Sequence, residues 1–311
     1  MSKIQTFRKL WHSDKTAILT ACFNNLNNLG LFRWIGDKTF LSIAYYMHTG
    51  RRMNWIRPER FTEKIQWLKL YDRKSEYTQM VDKITAKEYV ASVIGWEYII
   101  PTYGVWDSFN EIDFDKLPDQ FVLKTSNGSG SNGVVVCTDK RKLDKAKAKK
   151  QLESSLKCNT YLNLREWPYK NIVPKIFAEQ YICNQEVNEI IDLRDYKFFC
   201  SNGECKLFKI DFDRFVGHKA NYYNRNGDLL PFGEVVCPPD PSVKIEIPSD
   251  INEMIEIAER LSKGLKLLRV DLYNTGNKIL FGELTFYPAS GFEKFVPDEG
   301  DFEIGKLISI D

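Results

Sequence analysis

Two carboxylates stand twelve residues apart, each inside an apolar run: Arg269-Val270-Asp271-Leu272-Tyr273 and Gly282-Glu283-Leu284-Thr285-Phe286. A carboxylate in such a run is costly to bury unless it is paired or bound to a metal. Read as two arms of one hairpin around Asn274–Asn277, the runs bring Asp271 and Glu283 together. Two acids on adjacent strands can converge on a hard cation, with nucleotide phosphates supplying the remaining oxygens. Arg269 lies two residues from Asp271 and so shares its face of the strand. Two roles are open to it: a plain salt bridge to Asp271, or stabilisation of negative charge that develops on a reacting carboxylate.

A second candidate is Gly128-Ser129-Gly130-Ser131-Asn132-Gly133, a G-x-G-x-x-G run. A dinucleotide-binding turn leads from a strand into a helix, whose N-terminus holds the pyrophosphate. Here the run leads into Val134-Val135-Val136, a strand, so that reading fails. Val134 completes the kinase form G-x-G-x-x-G-x-V. The His-Arg-Asp and Asp-Phe-Gly motifs are missing, however, and Lys124 precedes the loop. Two readings remain. One is a flap that offers backbone N–H groups to phosphates; the other is a flexible hairpin turn.

These residues need elements to hold them. Residues 1–70 read as helical, with apolar positions over Thr16–Ile35, a compact apolar segment Phe40–Met47, and a helix over Phe61–Leu70 capped by Thr62. A further helix is expected over Gln79–Val93, ending at Gly95. Strands are expected at Phe121–Lys124, Val134–Val136 and Ile176–Ile182, with a Lys-rich helix over Asp139–Leu156. Tyr196–Cys200 and Cys205–Ile210 flank Asn202-Gly203 as a hairpin. An amphipathic helix over Ile251–Leu265 precedes the final hairpin, Leu268–Tyr273 with Lys278–Leu284. The class is mixed α+β with antiparallel hairpins.

Composition narrows the function. The 311 residues carry 44 Lys plus Arg against 42 Asp plus Glu, a net charge of +2 that gives no basis for general nucleic-acid binding. No stretch reaches the length of apolar residues that a spanning helix needs, and Met1–Thr20 has no secretory signal pattern. Seven cysteines, Cys22, Cys137, Cys158, Cys183, Cys200, Cys205 and Cys237, are irregularly spaced without Cys-x-x-Cys. They read as reduced thiols of a cytosolic protein. Only His12, His48 and His218 are present, far apart, so no Ser-His or Cys-His pair is credible. Asp211-Phe212-Asp213 spells Asp-x-Asp at a strand end, which keeps open a glycosyltransferase that binds a metal–sugar nucleotide. A non-enzymatic glycan-binding module is the third class.

The order of these motifs resembles the ATP-grasp superfamily. It runs Asp82-Lys83-x-x-x-Lys87, Phe121-Val122-Leu123-Lys124 with the glycine loop, Ala178-Glu179-Gln180-Tyr181-Ile182, Asp195-Tyr196-Lys197-Phe198-Phe199, and the two carboxylate runs. More narrowly the chain is similar to the TupA-like branch, through Phe61-Thr62-Glu63-Lys64-Ile65-Gln66-Trp67, Ile100-Pro101-Thr102-Tyr103-Gly104-Val105-Trp106 and Pro288-Ala289-Ser290-Gly291-Phe292. The resemblance runs from about residue 45 to the C-terminus.

It implies an ATP-grasp fold of antiparallel sheets and flanking helices, with the nucleotide between two subdomains. The divisions would be an N-terminal helical region (1–75), a subdomain with the flap (76–182) and a subdomain with the metal carboxylates (183–311). Lys83 and Lys124 would reach the ATP phosphates. Ser126, Gly128, Ser129, Gly130 and Gly133 would form the covering flap. The backbone of Glu179, Gln180, Tyr181 and Ile182 would hold adenine; Gln180 stands where a Lys is more usual. Lys197 would serve the nucleotide or substrate, unless it makes only a surface salt bridge with Asp195. Asp271, Glu283 and Thr285 would ligate Mg²⁺, with Thr285 in place of the usual Asn. Arg269 would steady the acyl phosphate, and Arg214 is expected to meet a substrate carboxylate. The implied reaction joins an amine to a hexuronic acid of a bacterial surface polysaccharide at the expense of ATP. Arg51, Arg52, Arg57 and Arg60 could receive such an acidic glycan, or form a solvated helix end. No nucleic-acid partner is implied; peripheral association with membrane-bound polysaccharide assembly machinery is.

Overall fold

The computed structural model describes residues 15–128, 130–182, 194–213, 217–243 and 245–310. Two antiparallel sheets carry the architecture. The first is built from β1 (Thr102–Trp106), β2 (Phe121–Thr125), β3 (Val134–Cys137) and β4 (Ile176–Gln180), in the order β1-β4-β2-β3. The second contains β5 (Asp195–Ser201), β6 (Glu204–Phe212), β7 (Lys219–Asn224), β9 (Leu268–Asn274) and β10 (Ile279–Thr285), in the order β10-β9-β5-β6-β7. A short pair joins β8 (Gly233–Glu234) to β11 (Phe295–Val296). The expected hairpins and strands are present, and the α+β class holds.

Strand alternation decides what each sheet buries. In the first sheet Phe121, Leu123, Ile176 and Ala178 pack with Phe109, Phe114 and the helix Lys145–Leu156 through Ala148 and Leu152. In the second, Phe198, Cys200, Phe208, Ile210, Val270 and Leu272 join the main core with Met254, Ile257 and Leu261 of the helix Ile251–Leu261. Each sheet therefore has one apolar, covered face. The polar positions of the same strands must share the other.

The helix expected over Ile251–Leu265 ends at Leu261, and three others differ from expectation, each for a local reason. The stretch over 79–93 is two helices, Glu76–Val81 and Thr85–Ile94, because Asp82 leaves helical geometry. Its Oδ1 accepts from the N–H groups of Ile84 and Thr85 and so caps the second helix. The Lys-rich helix begins only at Lys145, where Asp144 accepts from the Lys147 N–H. The helix Phe61–Tyr71 is capped at Arg60, two residues earlier than expected, with Glu63 Oε2 accepting from the Glu59 and Arg60 N–H groups. Thr62 instead donates, through N–H and hydroxyl, to Asp301 of the helix Glu299–Leu307.

The N-terminal helices, α1 (Lys15–Asn28) and α2 (Asp37–Thr49), make a small core of Phe23, Phe40, Leu41 and Ala44. The helix 61–71 clasps residues 288–308. Its Lys64 ammonium donates to the Gly305 and Ile308 carbonyls, and Lys69 to the Ser290 carbonyl and hydroxyl.

Candidate active site

The β9–β10 hairpin places the two acids of the apolar runs directly opposite each other. Asp271 is paired with Glu283, and Arg269 with Thr285. A bulge between Phe281 and Glu283 breaks the register just before the acid, which re-aims the strand there. The Arg269 guanidinium forks the Asp271 carboxylate, Nε to Oδ1 at 2.6 Å and Nη2 to Oδ2 at 2.7 Å. The same Nη2 reaches Glu283 Oε1 at 3.3 Å and Thr285 Oγ1 at 3.1 Å. Both roles foreseen for Arg269 start from this geometry, because the salt bridge is present and aims the guanidinium between the two acids.

Across β5, Lys197 is opposite Asp271, and its ammonium donates to Asp271 Oδ2 at 2.6 Å and to Asp195. This is a buried bridge rather than a surface one. Burial would depress the Lys197 pKa, but Asp195 and Asp271 raise it above the lysine range. Burial would likewise lower Arg269, and Asp271 and Glu283 raise it. Both stay cationic at any working pH.

Lys83 joins the two sheets. It sits at the break after Asp82, where its N–H donates to the Ser126 carbonyl at the end of β2. Its ammonium lies 2.9 Å from Glu283 Oε2 on the second sheet. Glu283 is 35% exposed, unlike Asp271. Burial pushes its carboxyl up, but Lys83 and Arg269 together hold it well below the carboxylate range.

The glycine loop starts from a pinched base. Thr125 Oγ1 and Ser155 Oγ are 2.8 Å apart, and Asn127 Nδ2 donates to the Ser155 and Cys158 carbonyls. Gly128 and Gly133 both lie on that base. A Cβ on either would stand 2.6 or 2.4 Å from Thr125 Oγ1, so no larger residue fits without moving the loop. Gly130–Gly133 form a 3₁₀ turn leading into β3. Ser126 is buried and fastened to Lys175, its N–H donating to the Lys175 carbonyl and its hydroxyl accepting from the Lys175 N–H. Ser129 and Arg214 lie outside the described residues.

On the first sheet, Lys124 and Glu179 face the same way, and the carboxylate is shared by two lysines. Its Oε1 accepts from Lys124 and its Oε2 from Lys87 at 3.0 Å. Lys87 also donates to the Ile100 carbonyl and Thr102 Oγ1, each at 2.8 Å. Burial pushes Glu179 up, but Lys124 and Lys87 prevail and hold it below the usual carboxylate range. The Gln180 N–H is taken by the Pro101 carbonyl, while its side chain is exposed. Gln180 and Tyr181 line a recess of about 540 Å³ with Tyr103, Asp119, Asp139 and Arg141. Ile182 comes next, half-buried.

Sequence reasoning missed a second charged group on the same face of the larger sheet. Asp195 is opposite Asp211, and Lys197 opposite Lys209. Like charges directly across a ladder are unfavourable, and here diagonal contacts resolve them. Lys209 stands 3.4 Å from Asp211 and 2.9 Å from Glu234, which also accepts from the Tyr222 hydroxyl. The available signal was the charge at alternate positions of two apolar strands. His218 Nδ1 is 3.3 Å from Cys237 Sγ, and its Nε2 is 3.6 Å from Asp211. That is a Cys–His contact the sequence did not lead us to expect, although burial pushes the Cys237 thiol up, away from a ready thiolate. Asp211 is buried and ion-paired, whereas Asp213 is exposed with φ 54°, so Asp211-x-Asp213 does not present two carboxylates together.

The donor chemistry fits a hard cation. Among the described residues no group of three His, Cys, Asp or Glu side chains stands ready for a metal. A cation held by Asp271 and Glu283, with the Thr285 hydroxyl beside them, would take its remaining oxygens from water or from a ligand. Mg²⁺ behaves this way, taking one or two carboxylates plus phosphates.

The basic stretch near residue 55 is partly spent. Arg51 and Arg60 bind Asp298 at 2.6 and 2.9 Å, Arg60 also binds Asp301, and Arg57 is 3.5 Å from Glu59. Of the four arginines expected to meet an acidic glycan, two are committed to holding residues 298–301.

The model of the TupA-like ATP-grasp family matches residues 63–309. Similar solved structures include the D-alanine–D-alanine ligase of Helicobacter pylori, at 14% identity over 80% of this chain and 65% of that one, with a TM-score of 0.44. The D-alanine–D-alanine ligase of Bacillus anthracis is 17% identical over 67% of this chain and 57% of that one, with a TM-score of 0.37. A RimK domain ATP-grasp protein of Sphaerobacter thermophilus is 13% identical over 75% and 69%, with a TM-score of 0.38. The chain thus spans under two thirds of the length of the two ligases. No curated protein matches the sequence.

Proposed function

The chain belongs to the TupA-like ATP-grasp family, and from that premise we propose that it is an ADP-forming carboxylate–amine ligase. The observation that carries this reading is Lys83. Its backbone is tied to the base of the glycine loop, and its ammonium lies against Glu283 beside the Arg269–Asp271 pair. Lys83, Lys124 and the loop backbone would hold the ATP phosphates between the sheets. The backbone of Glu179–Ile182 would meet adenine, and Lys197 would fix Asp271. Asp271, Glu283 and Thr285 would hold Mg²⁺, which when bound supplies charge neutralisation at the phosphate oxygens.

In the reaction, a substrate carboxylate oxygen attacks the γ-phosphorus and ADP leaves. The resulting acyl phosphate is attacked by an amine, which loses a proton as the amide forms and inorganic phosphate departs. Arg269 is aimed at the position where negative charge develops, and its neighbours keep it protonated. The acid is a hexuronic acid of a bacterial surface polysaccharide or its precursor. That finer reading is supported by the motif resemblance alone. The glycosyltransferase reading finds little support in the geometry of Asp211 and Asp213.

The test is product identity. With uronic acid, amine and MgATP, the expected products are ADP and phosphate. Hydroxylamine in place of the amine should give a hydroxamate. AMP and pyrophosphate would mean an adenylate, and a stable phosphorylated sugar would mean a kinase; either sinks the proposal.

A further inference from the structure

The corner between α1 and α2 carries an apolar surface that the catalytic reading does not use. Trp34 is 84% exposed and Leu29 76%, with Leu26 and Leu31 each about half in solvent. Single exposed apolar residues are ordinary. Four of them within nine residues, around one turn, are not.

The turn is held in place rather than loose. Phe32 and Ile35 point the other way and pack on the Phe23–Phe40 core. The fully buried Arg165 donates to the Phe32 carbonyl at 2.9 Å and sits 4.2 Å over the Phe40 ring. Asn27 donates to the Asn163 carbonyl at 2.8 Å. The backbone is thus fastened from beneath while the outward side chains make no comparable packing.

Charge indicates what lies against this corner. Between residues 15 and 58 the bases are Lys15, Arg33, Lys38, Arg51, Arg52 and Arg57, and the single acid is Asp37; of these bases Arg51 is paired with Asp298 and Arg57 stands 3.5 Å from Glu59. Asp37 is taken by Arg73 at 2.7 Å and Arg165 at 3.2 Å. The whole chain is nearly balanced, so this segment is a basic exception. Arg33 sits among the exposed apolar residues, a long side chain that can bury its stem and keep its charge at an aqueous boundary. On the adjoining side of α2, Trp55 donates to Ser42 Oγ, with Lys38 5.7 Å from its ring, and the next residue, Ile56, is 97% exposed. Among the described residues no helix is long and apolar enough to cross a membrane.

We infer that this corner seats the protein on an anionic lipid surface, with Leu29, Leu31 and Trp34 in the headgroup boundary and Arg33 at the phosphates. Outward Trp and Leu with flanking cations are the residues an interfacial anchor uses. The inference does not depend on the ligase reading.

The test is co-sedimentation of the full chain with vesicles of phosphatidylcholine and phosphatidylglycerol in equal parts, against pure phosphatidylcholine. The protein should pellet with the anionic vesicles, less with neutral ones, and less as salt rises. Leu29→Ser with Trp34→Ser should weaken binding by about tenfold or more, with circular dichroism unchanged because both side chains are exposed. Arg33→Glu should weaken it on anionic vesicles only. A wild-type protein that stays in the supernatant overturns the inference. So does a double variant that pellets like wild type, which would leave only diffuse basic attraction. If the double substitution instead dissolves a concentration-dependent dimer in sedimentation velocity, the corner is a contact between copies of the chain.

Discussion

The inner faces of the two sheets solve different problems. The smaller sheet presents one acid, Glu179, between Lys124 and Lys87, and beside it Val105 and Val136 stand open to solvent. The larger sheet has no such open apolar ground. Beside the buried Phe199, Leu207 and Tyr222 its inner face carries Asp195, Lys197, Lys209, Asp211, Arg269 and Asp271, nearly all buried and nearly all paired. An open apolar floor with fixed cations at its margin suits a flat base and its phosphates. A buried lattice of opposed charges suits holding a cation and a reacting carboxylate in fixed positions. The difference is one of tolerance: a buried ionic lattice suffers greatly when one member is removed, whereas an open face forfeits mainly the single interaction.

The largest expected effect comes from breaking the lattice at its hub. Asp271→Asn should reduce turnover by at least about 10²–10³-fold. It should also cost about 3–5 kcal/mol in denaturant unfolding, since Arg269 and Lys197 are left buried with less counter-charge. Glu283→Gln should reduce turnover comparably with much less loss of stability, because its carboxylate is partly in solvent. If the two variants lose equal stability, the contrast between hub and rim is wrong.

On the open face, Lys124→Ala should raise KM for ATP about tenfold to a hundredfold, because it removes a charge-assisted hydrogen bond to phosphate. Melting without nucleotide should fall, but by less than for Asp271→Asn, because Lys87 still pairs the buried Glu179 carboxylate. An unchanged KM would remove Lys124 from the nucleotide.

Acid titration sharpens the comparison further. Glu179 and Glu283 both have folded pKa values below the unfolded value of about 4.3. Their stabilisation is complete above that value and is lost as pH falls through the lower folded values. The contribution of these two groups should therefore persist down to about pH 4 and be lost below it. Lys87→Met should raise the acid midpoint by a few tenths of a unit, roughly, read by fluorescence against pH. A midpoint that does not move would mean Lys124 alone holds Glu179 ionised.

The smallest effect is expected at Asp82→Ala. Loss of the cap on helix 85–94 should cost about 1 kcal/mol. Because Lys83 is placed by that break, KM for ATP should rise a fewfold while kcat is largely retained. A stability loss with no change in KM would detach the helix break from the nucleotide site.

Much of this was legible in the chain. Asp271 and Glu283 could be placed because acids inside apolar runs are conspicuous, and the turn between them fixed their pairing. The glycine loop was legible because it runs straight into the β-branched Val134-Val135-Val136 rather than into a helix. Other features were not. The break that aims Lys83 was hidden in a run with good helix periodicity, since only the Asp82 side chain reveals it. The hydrogen bonds of Arg51, Arg60 and Thr62 with Asp298 and Asp301 join residues about 240 apart, and no local pattern records such partners. The Lys209–Glu234–Tyr222 group and the His218–Cys237 pair likewise depend on how β6, β7 and β8 come together.

The clasp between helix 61–71 and residues 288–308 bears on how the chain is made. Lys69 has acceptors at Ser290, Thr62 at Asp301 and Lys64 at Gly305 and Ile308. All of these emerge from the ribosome more than two hundred residues after the helix that needs them. At roughly 5–20 residues per second, that helix waits on the order of ten seconds or longer with Phe61 and Ile65 uncovered. A segment made early in the chain is thus among the last to be finished, and during synthesis it is a natural client for a chaperone.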